Sequence, residues 1–134
     1  MSINMKAKAI ILSLLTLTVV LFSGCTTPVA IDPMTGQQQT AKYKGGYFYA
    51  PIADDADAVF LTAIRAMDDM GLLRTAELHK NDYIMIYARM VGDKEVVVRI
   101  KQIAAGESQI RIRVGTLGDL PQSQVIYAKI RDEM

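Results

Sequence analysis

The chain has 134 residues, with 15 Lys and Arg against 14 Asp and Glu, and a single cysteine. A formal charge of +1 gives no long-range attraction to nucleic acid or to an anionic surface, and one cysteine excludes an internal disulfide. The length suits one domain built on one hydrophobic core.

Lys6 and Lys8 precede an uncharged apolar run from Ala9 to Phe22, and the small residues Ser23 and Gly24 lead into Cys25. A basic start, an apolar stretch and a small-residue site follow the grammar of a secretory signal peptide. From Ala9 to Gly24 the run is 16 residues, short of the ~20 that a membrane-spanning helix needs. These residues resemble a bacterial lipoprotein signal with its lipobox, with Phe22 standing where such boxes usually carry Leu. The resemblance implies cleavage before Cys25, a diacylglycerol in thioether linkage on its sulfur, and acylation of the new amine. Several acyl chains on one residue are enough for stable anchoring. The alternative is an ordinary free thiol. Thr26 and Thr27 follow the cysteine with no Asp, which by the same resemblance implies the outer membrane, facing the periplasm, in a Gram-negative source. Losing residues 1–24 removes Lys6 and Lys8 but no acid, so 13 basic and 14 acidic side chains remain.

Residues 25–45 then read as the lipidated cysteine and a flexible tether, rich in Pro, Gln and Thr. As a coil this tether spans about 25 Å. Residues 46–134 read as the domain. Tyr47 to Ala50 suits a short strand closed by Pro51. Asp54 or Asp55 can cap the next helix, whose apolar side is Val59, Phe60, Ala63, Ile64, Met67 and Met70, with Gly71 ending it. Leu72 to Leu78 starts a strand that breaks at the polar turn His79 to Asp82. Residues 83–90, 94–102 and 108–114 alternate with period two, as antiparallel strands buried on one side do. Asp119 caps a last helix, tolerant of Pro121 in its first turn, with Ser123, Ile126, Tyr127 and Ile130 on one face. The expected order is β-α-β-β-β-α, an α+β single domain with an antiparallel sheet and two helices on one face. The place of the first strand in the sheet stays open.

Register follows from the rule that cross-strand partners share a face. A loop of Gly92 to Lys94 pairs Met90 with Val96, Ala88 with Val98 and Ile86 with Ile100. A loop of Ala105 to Glu107 pairs Ile100 with Ile112 and Val98 with Val114. The opposite face then carries the rows Tyr87–Arg99–Arg113 and Met85–Lys101–Arg111. Tyr87, Arg99, Lys101, Arg111 and Arg113 thus form a basic patch on a nearly neutral chain. It suits an anion or a partner protein, through guanidinium forks and an aromatic platform. The plainer alternative is a solvated face, with acids such as Glu95 compensating.

Catalytic chemistry is sparse. His79 is the one histidine, and no zinc motif, phosphate loop, dinucleotide fingerprint or nucleophile elbow is present. The cluster Asp54, Asp55 and Asp57 fits helix capping better than metal binding. No catalytic residue, metal or cofactor is expected. Gly115-Thr116-Leu117-Gly118-Asp119 suits a sharp strand-to-helix turn around a buried Leu117.

Residues Ile110-Arg111-Ile112-Arg113-Val114-Gly115-Thr116-Leu117-Gly118-Asp119, followed by Ser123, Ile126 and Ile130, are similar to the C-terminal signature of a family of small bacterial lipoproteins classed as a domain of unknown function. The resemblance covers about Gly46 to Ile130 and implies an α+β domain in the cell envelope. It brings no catalytic residues. The resulting expectation is a non-enzymatic, membrane-anchored envelope lipoprotein. Its open sheet face would bind an envelope protein, an anionic glycan or lipid headgroups, and no nucleic acid. The alternative is a structural or stress-related lipoprotein without a specific ligand.

Overall fold

The computed structural model of the chain describes residues 4–10, 27–29 and 41–134. Residues 5–10 are helical, while Cys25 and most of the apolar run lie outside the described residues. The elements in chain order are β1 (Thr27–Val29), β2 (Ala41–Lys44), β3 (Tyr47–Ile52), α1 (Ala56–Asp69), β4 (Leu73–His79), β5 (Tyr83–Met90), β6 (Lys94–Ala104), β7 (Glu107–Val114) and α2 (Leu120–Asp132). The strands form one sheet in the order β1-β2-β3-β7-β6-β5-β4, antiparallel at every step. Helix α1 carries the chain across one face to the far edge. Three hairpins then fold back until β7 meets β3.

This is the expected α+β domain, and it places the first predicted strand, β3, beside β7. The strand count needs correcting. Leu73–His79 is a full strand paired along β5, so four strands follow α1 rather than three. The reading of residues 25–45 as a tether also changes, since β1 and β2 lie within it and pair with each other, and β2 pairs with β3. Ala41 is buried. A short strand flanked by polar residues gives little periodic signal, so composition alone reads it as linker.

One parity of side chains makes the core. Phe48 and Ala50, Ile86 and Ala88, Val96, Val98 and Ile100, and Ile110, Ile112 and Val114 are all buried, because successive strand residues point to opposite faces. Against them pack Val59, Thr62, Ala63, Ala66 and Met67 of α1 and Ser123, Ile126, Tyr127 and Ile130 of α2. Each fully buried Ile, Val, Phe or Met contributes about 1.5–3 kcal/mol. The α2 face is the one its spacing predicts. On α1, Thr62 and Ala66 join the buried face, while Phe60, Ile64 and Met70 sit at its margin.

Both hairpin registers are displaced by two residues from the expected ones. Met90 faces Lys94, Ala88 faces Val96 and Ile86 faces Val98. Ile100 faces Ile110 and Val98 faces Ile112. A shift of two preserves the face of every side chain and changes only its neighbour, so hydrophobic alternation cannot detect it.

The helix ends follow local chemistry. Gly71, at φ 75°, donates to the Asp68 carbonyl at 2.9 Å, and Leu72 N–H donates to Met67 O at 3.0 Å, a Schellman closure of α1. Asp119 accepts from Gln122 N–H at 3.1 Å and caps α2. Asp55 occupies the N-cap of α1 but makes no side-chain bond to its own helix, which departs from the expected cap. Its carboxylate takes the Gly106 N–H at 2.8 Å and Gln102 Nε2 at 2.8 Å. The Gln102 Oε1 accepts the Ala56 N–H at 2.6 Å instead.

Leu117 is 90% exposed, contrary to its expected burial. The loop packs through its backbone. A Cβ on Gly118 would collide with the oxygen and Cα of Gly46 and lie 2.7 Å from its carbonyl carbon, while one on Gly46 would sit 2.6 Å from Leu117 O. Neither position admits a side chain. Gly118→Ala should therefore lower unfolding stability by about 3 kcal/mol, from positive-φ strain plus overpacking. Gly71→Ala has positive φ but open space, and should cost about 1 kcal/mol. Equal urea midpoints for the two variants would contradict this account.

Tyr127 donates to Pro51 O at 3.0 Å and packs on Phe48 at 5.4 Å between rings. Burial raises its pKa above the ordinary tyrosine value, with Arg131 opposing. A raised folded pKa means that stability is full below the unfolded value and is lost as pH climbs past about 10. In alkaline melts, Tyr127→Phe should start less stable by about 1 kcal/mol and then lose less than the parent as pH rises.

Candidate functional site

On β3, β5, β6 and β7 the parity that buries the even-numbered residues turns the odd ones to the face without helices. On β7 these include Arg111 and Arg113, and on β6 Val97, Arg99 and Lys101. Arg99 lies directly opposite Arg111, and Arg113 opposite Val97. On β5, Met85 faces Arg99, Tyr83 faces Lys101 and Tyr87 faces Val97. The expected basic patch therefore exists with altered neighbours. Arg111 replaces Arg113 beside Arg99, and Tyr87 shares a row with Val97 and Arg113, its hydroxyl 3.6 Å from Met85 Sδ.

Sequence reasoning missed the residues that order this patch. The Arg99 guanidinium lies 4.0 Å from the Tyr83 ring. Arg111 lies 4.2 Å from Tyr47 and 5.8 Å from Tyr49, and Arg113 lies 4.8 Å from Tyr47. Lys42 faces Tyr49 and Lys44 faces Tyr47, adding two exposed ammonium groups to the same face. Tyr83 shares the period-two pattern of β5, so its side was readable. Tyr47, Tyr49, Lys42 and Lys44 could be placed only once β3 was known to lie against β7.

Several cations elsewhere are held by acids, whereas Arg65 and Lys80 make no carboxylate ion pair among the described residues. Arg74 holds Asp68 and Glu77, Arg89 holds Asp93, Lys94 lies 3.9 Å from Asp119, and Lys129 holds Glu133. Asp93 keeps the Arg89 pKa above its ordinary value, with Glu95 adding to the effect. Glu95 is the cross-strand partner of Arg89 and, among the described residues, makes no ion pair with the patch. Among the described residues, Arg99, Lys101, Arg111 and Arg113 have no carboxylate partner. The Nε atoms of Arg99 and Arg111 are buried and unbonded, while their terminal nitrogens reach solvent. Such a face can hold anionic groups on the free guanidinium edges and lay a ring or sugar against the tyrosines.

A cleft of about 500 Å³ lies elsewhere, between Pro51, Asp54, Tyr127 and Arg131. Its tyrosine hydroxyl is committed to Pro51. His79 closes β4 and sets its ring edge-on to Phe60 at 5.0 Å. Among the described residues no group of three His, Cys, Asp or Glu could hold a metal ion.

The open face is built against stability. Opposed like charges on neighbouring strands cost a few tenths of a kcal/mol, and a buried unpaired donor costs about 1–3 kcal/mol. A cation over a ring returns about 0.5–1 kcal/mol. The costs win, so Arg111→Met, which keeps the apolar stem, should stabilise the domain by about 1 kcal/mol. A denaturation midpoint lower than the parent's would refute that balance.

A search of curated proteins finds no match to the chain. A family model matches residues 8–133, nearly the whole length, and carries the description "protein of unknown function". The chain belongs to that family, DUF3568.

Proposed function

We propose that this protein is a bacterial envelope lipoprotein, anchored through acyl chains on Cys25 at the outer membrane and facing the periplasm. In this reading it is not an enzyme. Its domain binds an anionic envelope ligand across the helix-free sheet face, and an acidic glycan chain fits that face best. The observation that carries the reading is a cluster of cations, Arg99, Lys101, Arg111 and Arg113, with no carboxylate partner among the described residues, interleaved with Tyr47, Tyr49 and Tyr83. The elements from β3 to β5 span four strands, about 15 Å at the usual spacing, wide enough for several sugar units. Tyrosine rings offer flat apolar surface and the guanidinium edges offer paired donors to carboxylates, sulfates or phosphates. The N-terminal pattern of Lys6, Lys8, the apolar run and Ser23-Gly24-Cys25 supports the anchor.

Dextran sulfate serves as a probe, with neutral dextran as the control. The parent should bind the sulfated polymer saturably, with affinity falling as salt rises. Arg99→Gln with Arg113→Gln should weaken binding at least about tenfold, equivalent to about 1.4 kcal/mol. The charge-matched pair Arg65→Gln and Lys80→Gln should leave it near the parent value. Equal losses in the two pairs would reduce the face to general charge and favour a structural lipoprotein without a ligand.

A further inference from the structure

We infer that one end of the sheet is a membrane-contact edge, at which Leu117 and Val91 enter the headgroup region of the bilayer that holds the Cys25 lipid. The inference rests on the anchor reading above and adds an orientation to it.

Register places the relevant parts together. Thr27 pairs with Tyr43, so β1 begins at the end where β2 turns into β3. Antiparallel pairing brings Val114 of β7 and Val96 of β6 to that end, with Ala88 of β5 following. Leu73 of β4 pairs there with Arg89. The β5–β6 turn and the β7–α2 loop therefore project from the edge at which the N-terminal segment joins the sheet. Only Thr26 separates Cys25 from β1, and two Cα steps reach at most about 7 Å. An anchor on Cys25 holds this end at the membrane rather than a tether's length away.

The same end carries the most exposed of the domain's large apolar side chains, while Leu61, Ile103 and Val125 are about half exposed elsewhere. Val91 is 96% exposed, Leu117 90% and Leu73 68%, the three highest values for large apolar residues from residue 41 onward. At the opposite end the turns are Lys80-Asn81-Asp82 and Ala105-Gly106. Local structure does not account for the exposed pair. The β5–β6 turn needs the positive φ of Gly92 and Asp93, which places no demand on Val91. The β7–α2 loop packs through the Leu117 backbone while its side chain stands free. At about 4.8 Å per strand, Leu117 lies about 14 Å from β1 and Val91 about 24 Å. An anchored corner and two apolar tips along one edge stand the sheet upright on the bilayer, with its basic face turned sideways and accessible. Arg89 with Asp93 and Lys94 with Asp119 neutralise one another at this edge, while the exposed Lys44 ends β2 there, so the tips make an apolar contact to which anionic lipid adds.

The test uses the full lipidated protein in phosphatidylethanolamine vesicles with or without phosphatidylglycerol. Acylated Cys25 leaves no free thiol, so Leu117→Cys and Val91→Cys each carry one fluorophore, with Ala105→Cys as the reference at the far end. Thr116→Cys reports the same loop if Leu117→Cys disturbs folding. Probes at 91 and 117 should be quenched severalfold by doxyl-labelled lipid and shielded from aqueous iodide, and the probe at 105 should behave oppositely in both vesicles. Equal iodide quenching at all three sites overturns the inference. Shielding without doxyl quenching also overturns it, because a second protein copy then covers the tips. Palmitate labelling separates the two levels of argument. Labelled Cys25 with aqueous tips removes only the orientation, whereas no label removes the anchor and the orientation together.

Discussion

The arrangement of the open face depends on a single extra residue in β6. A two-residue turn, Ala105-Gly106, sets Ala104 opposite Glu107. Continued without interruption, that register would pair Ile100 with Arg111 and Val98 with Arg113, driving arginines into the core. The bulge between Gln102 and Ala104 absorbs one residue and restores the pairing of like faces. Gln102 holds it in place by donating to Ala104 O at 2.5 Å while its carbonyl oxygen receives the first N–H of α1. Ser108, buried on the adjoining strand, donates to Asp54 O at 2.7 Å. Hairpin and helix start are thereby one hydrogen-bonded unit, and the positions of Arg99 and Arg111 follow from it.

That coupling also explains the chemistry of the two faces. With parity set, every buried strand position is apolar or small, and the long basic side chains collect on the remaining side. Tyrosines keep them there by stacking, which uses the ring face and leaves the terminal nitrogens in solvent. Among the described residues no acid neutralises them, although acids partner cations at α1, the β5–β6 turn and the C-terminus. The unbalanced charge is therefore a property of one surface rather than of the chain, whose net charge is close to zero.

Much of the fold was legible because period-two alternation and helix caps are local signals. The α2 face, the Gly71 terminus and the buried members of β5, β6 and β7 all came from spacing. What stayed hidden was non-local. A two-residue register slip leaves each side chain on its own face, and between β6 and β7 the bulge, held by contacts of Gln102 with the start of α1, decides who neighbours whom. Ala41 to Lys44 lacks any periodic run, and its strand exists because β3 offers an edge. Leu117 sits between glycines that promised a buried turn, yet the close packing is between backbones. The basic half of the candidate site was readable from β6 and β7. Its aromatic half waited on where β3 lies.

The contact of Gly46 with Gly118 joins a turn near the start of the domain to a loop near its end, and β3 bonds to β7 beside it. For a chain that emerges N-terminus first, this makes folding a late event. The segment Tyr47-Phe48-Tyr49-Ala50 has no strand on its inner side until almost the whole sequence is available, and it is rich in the residues that favour cross-β pairing. Long-range closure of this kind is slow relative to local hairpins. The nascent chain thus carries an unpaired, strand-prone segment until its last strand arrives.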